Sequence, residues 1–286
     1  MRTEPPLVNM EKAGKRLGEN RILKNVSLQV EEGETVGVVG TNGSGKTTLL
    51  RLISGLSYLS EGEIQIMGKT LKPGILGNLP GDIGVLIETP SFLNNQTGLE
   101  NLVHLAQIKK KISKEEIKEA MRKVGLSPES KKKVRQYSLG MRQRLGIAQA
   151  LMEKPSLVLF DEPINGLDSG GRELFNNYVE ELKKQGTGYV FVSHHEHEIE
   201  AFCDRVFKIE DETLVVERKI KNVPIQLVNS VDVEKVLTAA PDATMGDRVN
   251  EMTVMLIPFS EGTKEEIDKF FKKIGVEYLF VDKDYK

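Results

Sequence analysis

The sequence predicts an α/β fold, a mainly parallel sheet covered by helices on both faces, with a small α+β appendage at its C-terminal end. Three observations predict it. Short apolar runs rich in β-branched residues at 34–40, 156–161 and 188–193 alternate with stretches of helical periodicity, the pattern of strands buried between helix layers. Each of the first two runs ends in a polar turn built from special residue types. After about Val216 the alternation gives way to short strands and a helix, and 286 residues are ample for one large core plus such an appendage.

In chain order, residues 7–33 read as strand, turn and strand, with the turn at Gly18-Glu19-Asn20. Residues 34–40 are a buried strand, and a helix follows from Gly45 to about Ser54. Residues 61–69 and 82–88 read as further short strands. From Thr97 to about Lys154 the pattern is helical; within it Ile112 to Val124 is an amphipathic helix with Ser113 as N-cap and Glu116 at capping-box spacing. Then come a buried strand at 156–161, a helix at 171–185 and a strand at 188–193. Residues 219–224 read as a link, followed by strands near 252–257 and 277–281 and a helix near 263–273. The lysine runs at 109–111 and 131–133 read as solvated helix faces.

Composition excludes several classes. Hydrophobic residues at 39% and charged residues at 29% suit a globular chain rather than a disordered one. A formal net charge of -2 argues against nucleic acid as a partner. The one cysteine, Cys203, leaves no internal disulfide and points to a reducing, cytoplasmic setting. No apolar run approaches the roughly 20 residues that cross a bilayer, and residues 1–6 lack the apolar stretch of a secretory signal. Any membrane part of the system is therefore expected on another chain.

Gly40-Thr41-Asn42-Gly43-Ser44-Gly45-Lys46-Thr47-Thr48 fits G-x-x-x-x-G-K-[ST] after a predicted strand and before a predicted helix. Glycines let the backbone curl so that successive N–H groups point at phosphate oxygens, and the helix adds its positive end. Lys46 is expected on the β- and γ-phosphates and the Thr47 hydroxyl on Mg²⁺. A glycine-rich strand–helix turn without ligand is the plainer alternative, which this context disfavours.

Leu157 to Phe160 deliver two adjacent carboxylates, Asp161 and Glu162. Side chains alternate along a strand, so the two point differently. Asp161 is assigned to the metal and Glu162 to the general base that faces the attacking water.

With these motifs, Tyr137-Ser138-Leu139-Gly140-Met141-Arg142-Gln143-Arg144 resembles the signature segment of ABC transporter ATPases. Asp161-Glu162-Pro163, Asn165-Gly166-Leu167-Asp168 and Ser193-His194 resemble that family's second Walker motif, D-loop and switch histidine. The resemblance covers roughly residues 7–217. It implies an ATPase domain at 1–217, with an antiparallel β subdomain and a helical insert at about 97–154; residues 218–286 carry no such match. It implies ATP and Mg²⁺ as cofactors and a head-to-tail dimer of identical or different ATPase chains. Each ATP is then sandwiched between one phosphate loop and the other chain's Ser138, Leu139, Gly140 and Met141. His194 contacts the γ-phosphate and orients Glu162, Asp168 links the two sites across the interface, and Glu88 approaches the metal. The partner is a membrane permease, reached from the inner face of the plasma membrane. His195 and His197 stand near His194, but such neighbours converge poorly on one ion, so no zinc site is expected.

Four positions depart from the common family pattern. Leu139 and Met141 replace a glycine and a glutamine, and Glu88 replaces a glutamine. The Ser-Leu-Gly-Met run and Glu88-Thr89-Pro90 resemble the ATPases of bacitracin-resistance and lantibiotic self-protection exporters. Relatives stack adenine on an aromatic residue where this chain has Leu17, which weakens base recognition. The resemblance thus implies an exporter of antimicrobial peptides or similar amphipathic compounds. A lipid, polysaccharide or drug exporter and a soluble ABC-type regulator are the alternatives.

Overall fold

The computed structural model describes residues 5–72, 81–88, 90–194, 203–219, 221–227, 232–241, 243–245, 254–259 and 264–280. The first two strands, β1 (Val8–Leu17) and β2 (Asn20–Val30), form the antiparallel hairpin expected, turning at Gly18 and Glu19. With β4 (Glu61–Ile66) and β5 (Lys69–Thr70) they make a four-stranded antiparallel sheet in the order β2-β1-β4-β5. The end of β2 shows why: Val26, Leu28 and Val30 alternate inward while their neighbours face solvent.

A six-stranded sheet runs β10-β9-β3-β8-β7-β6. Its members are β3 (Thr35–Val39), β6 (Ile83–Leu86), β7 (Leu157–Asp161), β8 (Gly188–Ser193), β9 (Arg205–Glu210) and β10 (Thr213–Lys219). All pairings are parallel except β10 with β9. Burial on both faces explains the continuous apolar runs. Leu157, Leu159, Val190 and Val192 enter one core with α1 (Lys46–Ile53) and the antiparallel sheet. Val158, Phe160, Tyr189 and Phe191 enter the other, beneath the remaining helices of this part. There the Phe160 ring meets Phe175 edge-on at 5.5 Å.

The helical region contains α2 (Gly98–Lys109), α3 (Lys114–Lys123), a 3-10 turn at Val134–Gln136 and α4 (Leu139–Leu151). Thr97 with Glu100 and Ser113 with Glu116 close full capping boxes, the second as expected from spacing. Buried Asn101 ties the segment before α2 in place, accepting from the Leu93 N–H and donating to the Leu93 and Thr97 carbonyls. α5 (Ser169–Lys183) begins two residues ahead of the expected 171 because Asp168 caps it.

Two expectations are overturned. Lys131 to Lys133 precede the 3-10 turn at Val134–Gln136 rather than standing on a helix face. Residues 219–224 are not a link: β10 runs to Lys219 and β11 (Lys221–Leu227) is a central strand of a third sheet, ordered β12-β13-β11-β14. Pro224 suggested a break because proline cannot donate to a ladder. Among the described residues β14 (Tyr278–Phe280) pairs with Ile225–Leu227, and Pro224 stands opposite Leu256 of β13 (Val254–Phe259), so the proline lies beyond the described β11–β14 pairs. β12 (Thr244–Met245), α6 (Val233–Ala239) and α7 (Lys264–Ile274) complete this part, and Ile225, Val236, Met255, Ile267 and Phe271 form its separate core. Among the described residues no helix is long and apolar enough to cross a membrane.

Candidate nucleotide site

The carboxyl ends of β3, β7 and β8 meet at one edge of the six-stranded sheet, where open α/β folds bind ligands. β3 ends at Val39, and Gly40 to Gly45 turn into α1. Gly45 must be glycine: its φ is 107°, and an added Cβ would lie 3.1 Å from both Ile22 Cγ2 and Leu23 Cδ2. The buried Lys46 ammonium donates to the Gly40 carbonyl at 2.7 Å and the Thr41 carbonyl at 3.0 Å. Burial pulls it below the usual lysine range, opposed by the charges of Glu162 and Asp161. Ser44 Oγ is buried without a hydrogen-bond partner inside the same loop, while Thr41 and Asn42 are exposed. An orphaned hydroxyl, a lysine turned onto carbonyls and a helix start suit phosphate oxygens.

Thr47 Oγ1 donates to Asp161 Oδ2 at 2.8 Å, joining the loop to the end of β7. Burial holds the Asp161 carboxyl above the usual range, opposed by the Thr47 hydrogen bond and reinforced by the charge of Glu162. Hydroxyl and carboxylate oxygens together fit a hard divalent cation. Thr48 follows, half-buried in the first turn of α1.

Glu162 has φ 50°, an uncommon conformation for a non-glycine residue and one concentrated at functional sites. Its N–H continues toward β8 by donating to the Val192 carbonyl at 3.0 Å. Its side chain is held at both oxygens. Oε1 accepts from the His194 N–H at 2.9 Å and lies 2.5 Å from His194 Nδ1; Oε2 accepts from Ser193 Oγ and Asn165 Nδ2, each at 3.1 Å. Gln143 of α4 is buried and donates to the Pro163 carbonyl at 2.8 Å, fixing the loop behind the carboxylate. The sequence motifs contained Asn165 and Ser193, but their spacing carried no sign of a shared carboxylate.

Glu88 stands just past β6 with φ 60°, and its Oε1 accepts from Arg51 Nη2 at 2.6 Å. A cavity of about 300 Å³ brings Glu88, Asp161, Glu162 and Asn165 opposite Leu139, Arg142 and Gln143 of α4.

The signature residues open α4. Ser138 is its N-cap, accepting from the Met141 N–H at 3.2 Å. Leu139 is exposed, Gly140 lies in the first turn, and Met141 packs on the helical core. Asp168 is engaged within its own chain, accepting from the Gly171 N–H at 2.9 Å and from Arg144 Nη2 at 2.5 Å. These contacts hold its carboxyl below the usual range. Leu17 is exposed at the β1–β2 turn. His195 and His197 lie outside the described residues.

Residues 23–165 match a family model described as ABC transporter. The chain belongs to the ABC transporter ATP-binding family. It is 43% identical over 206 residues to the uncharacterized ABC transporter ATP-binding protein YdbJ of Bacillus subtilis (strain 168), covering 72% of this chain and 67% of that one. It is 37% identical over 215 residues to the bacitracin transport ATP-binding protein BcrA of Enterococcus faecalis, covering 75% and 70%. A solved relative is the ATP-binding cassette MJ0796, a dimer in a post-hydrolysis state bound to ADP and Pi. It superposes with TM-score 0.65 at 28% identity over 74% of this chain and 98% of that one. This ABC protein binds and hydrolyses ATP as the ATP-binding subunit of a transporter.

Proposed function

We propose that this ABC ATPase drives an exporter of antimicrobial peptides or similar amphipathic compounds, acting as a Mg-ATP-closed dimer on the inner face of the plasma membrane through a separate permease. The observation that carries the chemistry is Glu162, held at both oxygens by His194, Ser193 and Asn165 next to the Thr47–Asp161 pair. Gly40 to Thr48 hold the phosphates, with Lys46 leaving the loop carbonyls for phosphate oxygens. Thr47 and Asp161 hold Mg²⁺, with Glu88 nearby. Mg²⁺ when bound neutralises charge developing on the β- and γ-phosphates. Glu162 takes the proton of the attacking water, and His194 keeps its carboxylate turned toward that water. Ser138, Leu139, Gly140 and Met141 cover the ATP of the facing chain, Asp168 and Arg144 keep α5 and the signature helix in step behind them, and exposed Leu17 lies beside the adenine. The chain divides into an ATPase domain ending with β10 and the appendage built on β11.

The cargo reading rests on the identity with the bacitracin transport protein and on Leu139, Met141 and Glu88. Its test is survival. Cells carrying this gene with neighbouring membrane-protein genes face a panel of antimicrobial peptides, with Glu162→Gln as control. Protection that vanishes in the variant is expected. Equal survival of both, with ATPase activity intact, would move lipid, polysaccharide or drug cargo ahead.

A further inference from the structure

Glu88 is one of three carboxylates around the 300 Å³ cavity, together with Asp161 and Glu162. Their mutual repulsion is already felt: Glu162 and Glu88 both push the Asp161 carboxyl upward, behind the larger effect of burial. Among the described residues Glu88 is the one of the three that is ion-paired to an arginine, Arg51 Nη2 lying 2.6 Å from its Oε1. Arg51 is in the last turn of α1, the helix whose first residue is Lys46, so the pair ties the residue past β6 to the element that carries the phosphate loop. The pair is open to water, with 46% of the Arg51 and 59% of the Glu88 side chain exposed. A pair that open adds little to stability. It is of the right strength to be given up when a stronger cation arrives. The left-handed backbone at Glu88, φ 60°, fits a residue held for function rather than for packing.

We propose that Arg51 is a positioning residue which holds the Glu88 carboxylate away from the metal position, so that Arg51 and a divalent cation compete for it. This rests on the placement of a cation between Thr47 and Asp161 given above. Glutamate can stand here because Arg51 supplies the countercharge that keeps three carboxylates tolerable before the cation binds. Releasing Glu88 from Arg51 also frees the segment past β6 from α1, which makes cation binding felt at that segment.

The test is Mn²⁺ binding to the full chain with a non-hydrolysable ATP analogue, read from the electron paramagnetic resonance of free Mn²⁺. Arg51→Met is expected to tighten Mn²⁺ by about two- to fivefold, the scale of one exposed ion pair. Arg51→Lys, which keeps the charge, should stay close to the parent value. In a Glu88→Gln background, Arg51→Met should change nothing. An unchanged or weakened affinity in Arg51→Met would overturn the proposal, as would a shift that persists beside Glu88→Gln, since that would be a general charge effect. Failure of the parent chain to bind the analogue, measured separately with a fluorescent nucleotide, would instead contradict the phosphate-loop reading on which this rests.

Discussion

Glu162 shows most clearly how the site is made. A carboxylate that must take a proton from water has to be fixed without being neutralised. Here a peptide N–H, an imidazole, a hydroxyl and an amide hold it from β8 and the loop past β7. None of these partners brings a permanent positive charge. Glu162→Gln keeps the shape and removes the base. Steady-state ATP hydrolysis should fall by about 10²- to 10⁴-fold while nucleotide binding persists, as phosphate release and equilibrium dialysis would show. Near-normal turnover would take the base assignment away. The carboxylate pair and the phosphate loop were legible in the sequence because each requires fixed residue types at fixed spacing. The partners of Glu162 were not: Ser193 and His194 are brought to it only by the β7–β8 pairing, and Asn165, three residues on, reaches it only because the loop past β7 turns back. Arg51 was invisible for the same reason: nothing in a run of leucines on α1 marks one arginine as the mate of Glu88.

At the scale of elements, capping and alternation explain most of what the sequence foretold. Ser113 and Glu116 started a helix where their spacing said, and β8 spans the expected residues 188–193. Boundaries slipped where a cap was overlooked, as at Asp168, or where proline was taken for a break, as at Pro224. Close approach of elements was also hidden from the sequence. β6 lies so near α4 that a Cβ on Gly84 would sit 2.0 Å from the Ala150 carbonyl oxygen. That oxygen is backbone in the last turn of α4, not the end of a flexible side chain, and cannot simply swing aside. Gly84→Ala should therefore destabilise the fold by about 1–3 kcal/mol or more, seen as a lower midpoint in urea with an unchanged slope. A midpoint within error of the parent would mean that β6 and α4 separate more easily than their packing suggests.

For the whole molecule, two cores sandwich the six-stranded sheet and a third belongs to the segment from Ile225 onward. The first two draw on residues up to Ile209, and the third shares none of them. A chain stopped after Lys219, where β10 ends, should fold and keep its ATPase activity, with a midpoint temperature lower by no more than about 4–8 °C. Insoluble or inactive product would assign the appendage a part in the ATPase fold itself. Fold class and catalytic motifs were readable because the parallel sheet and the phosphate loop each impose strong local patterns. The appendage was readable only as a few elements, since its short strands pair across long stretches of chain and its sheet order leaves no local trace.

In the proposed function ATP closes two copies of this cassette around a site that Glu162 then discharges. Light scattering on the Glu162→Gln chain tests it most directly, with Mg-ATP, with ATP and EDTA, and with Ser138→Arg added. A dimer is expected with Mg-ATP alone, and monomers that still bind ATP when Ser138 is replaced. A Glu162→Gln chain that binds Mg-ATP and stays monomeric, or one that dimerises equally well with Ser138→Arg, would contradict it.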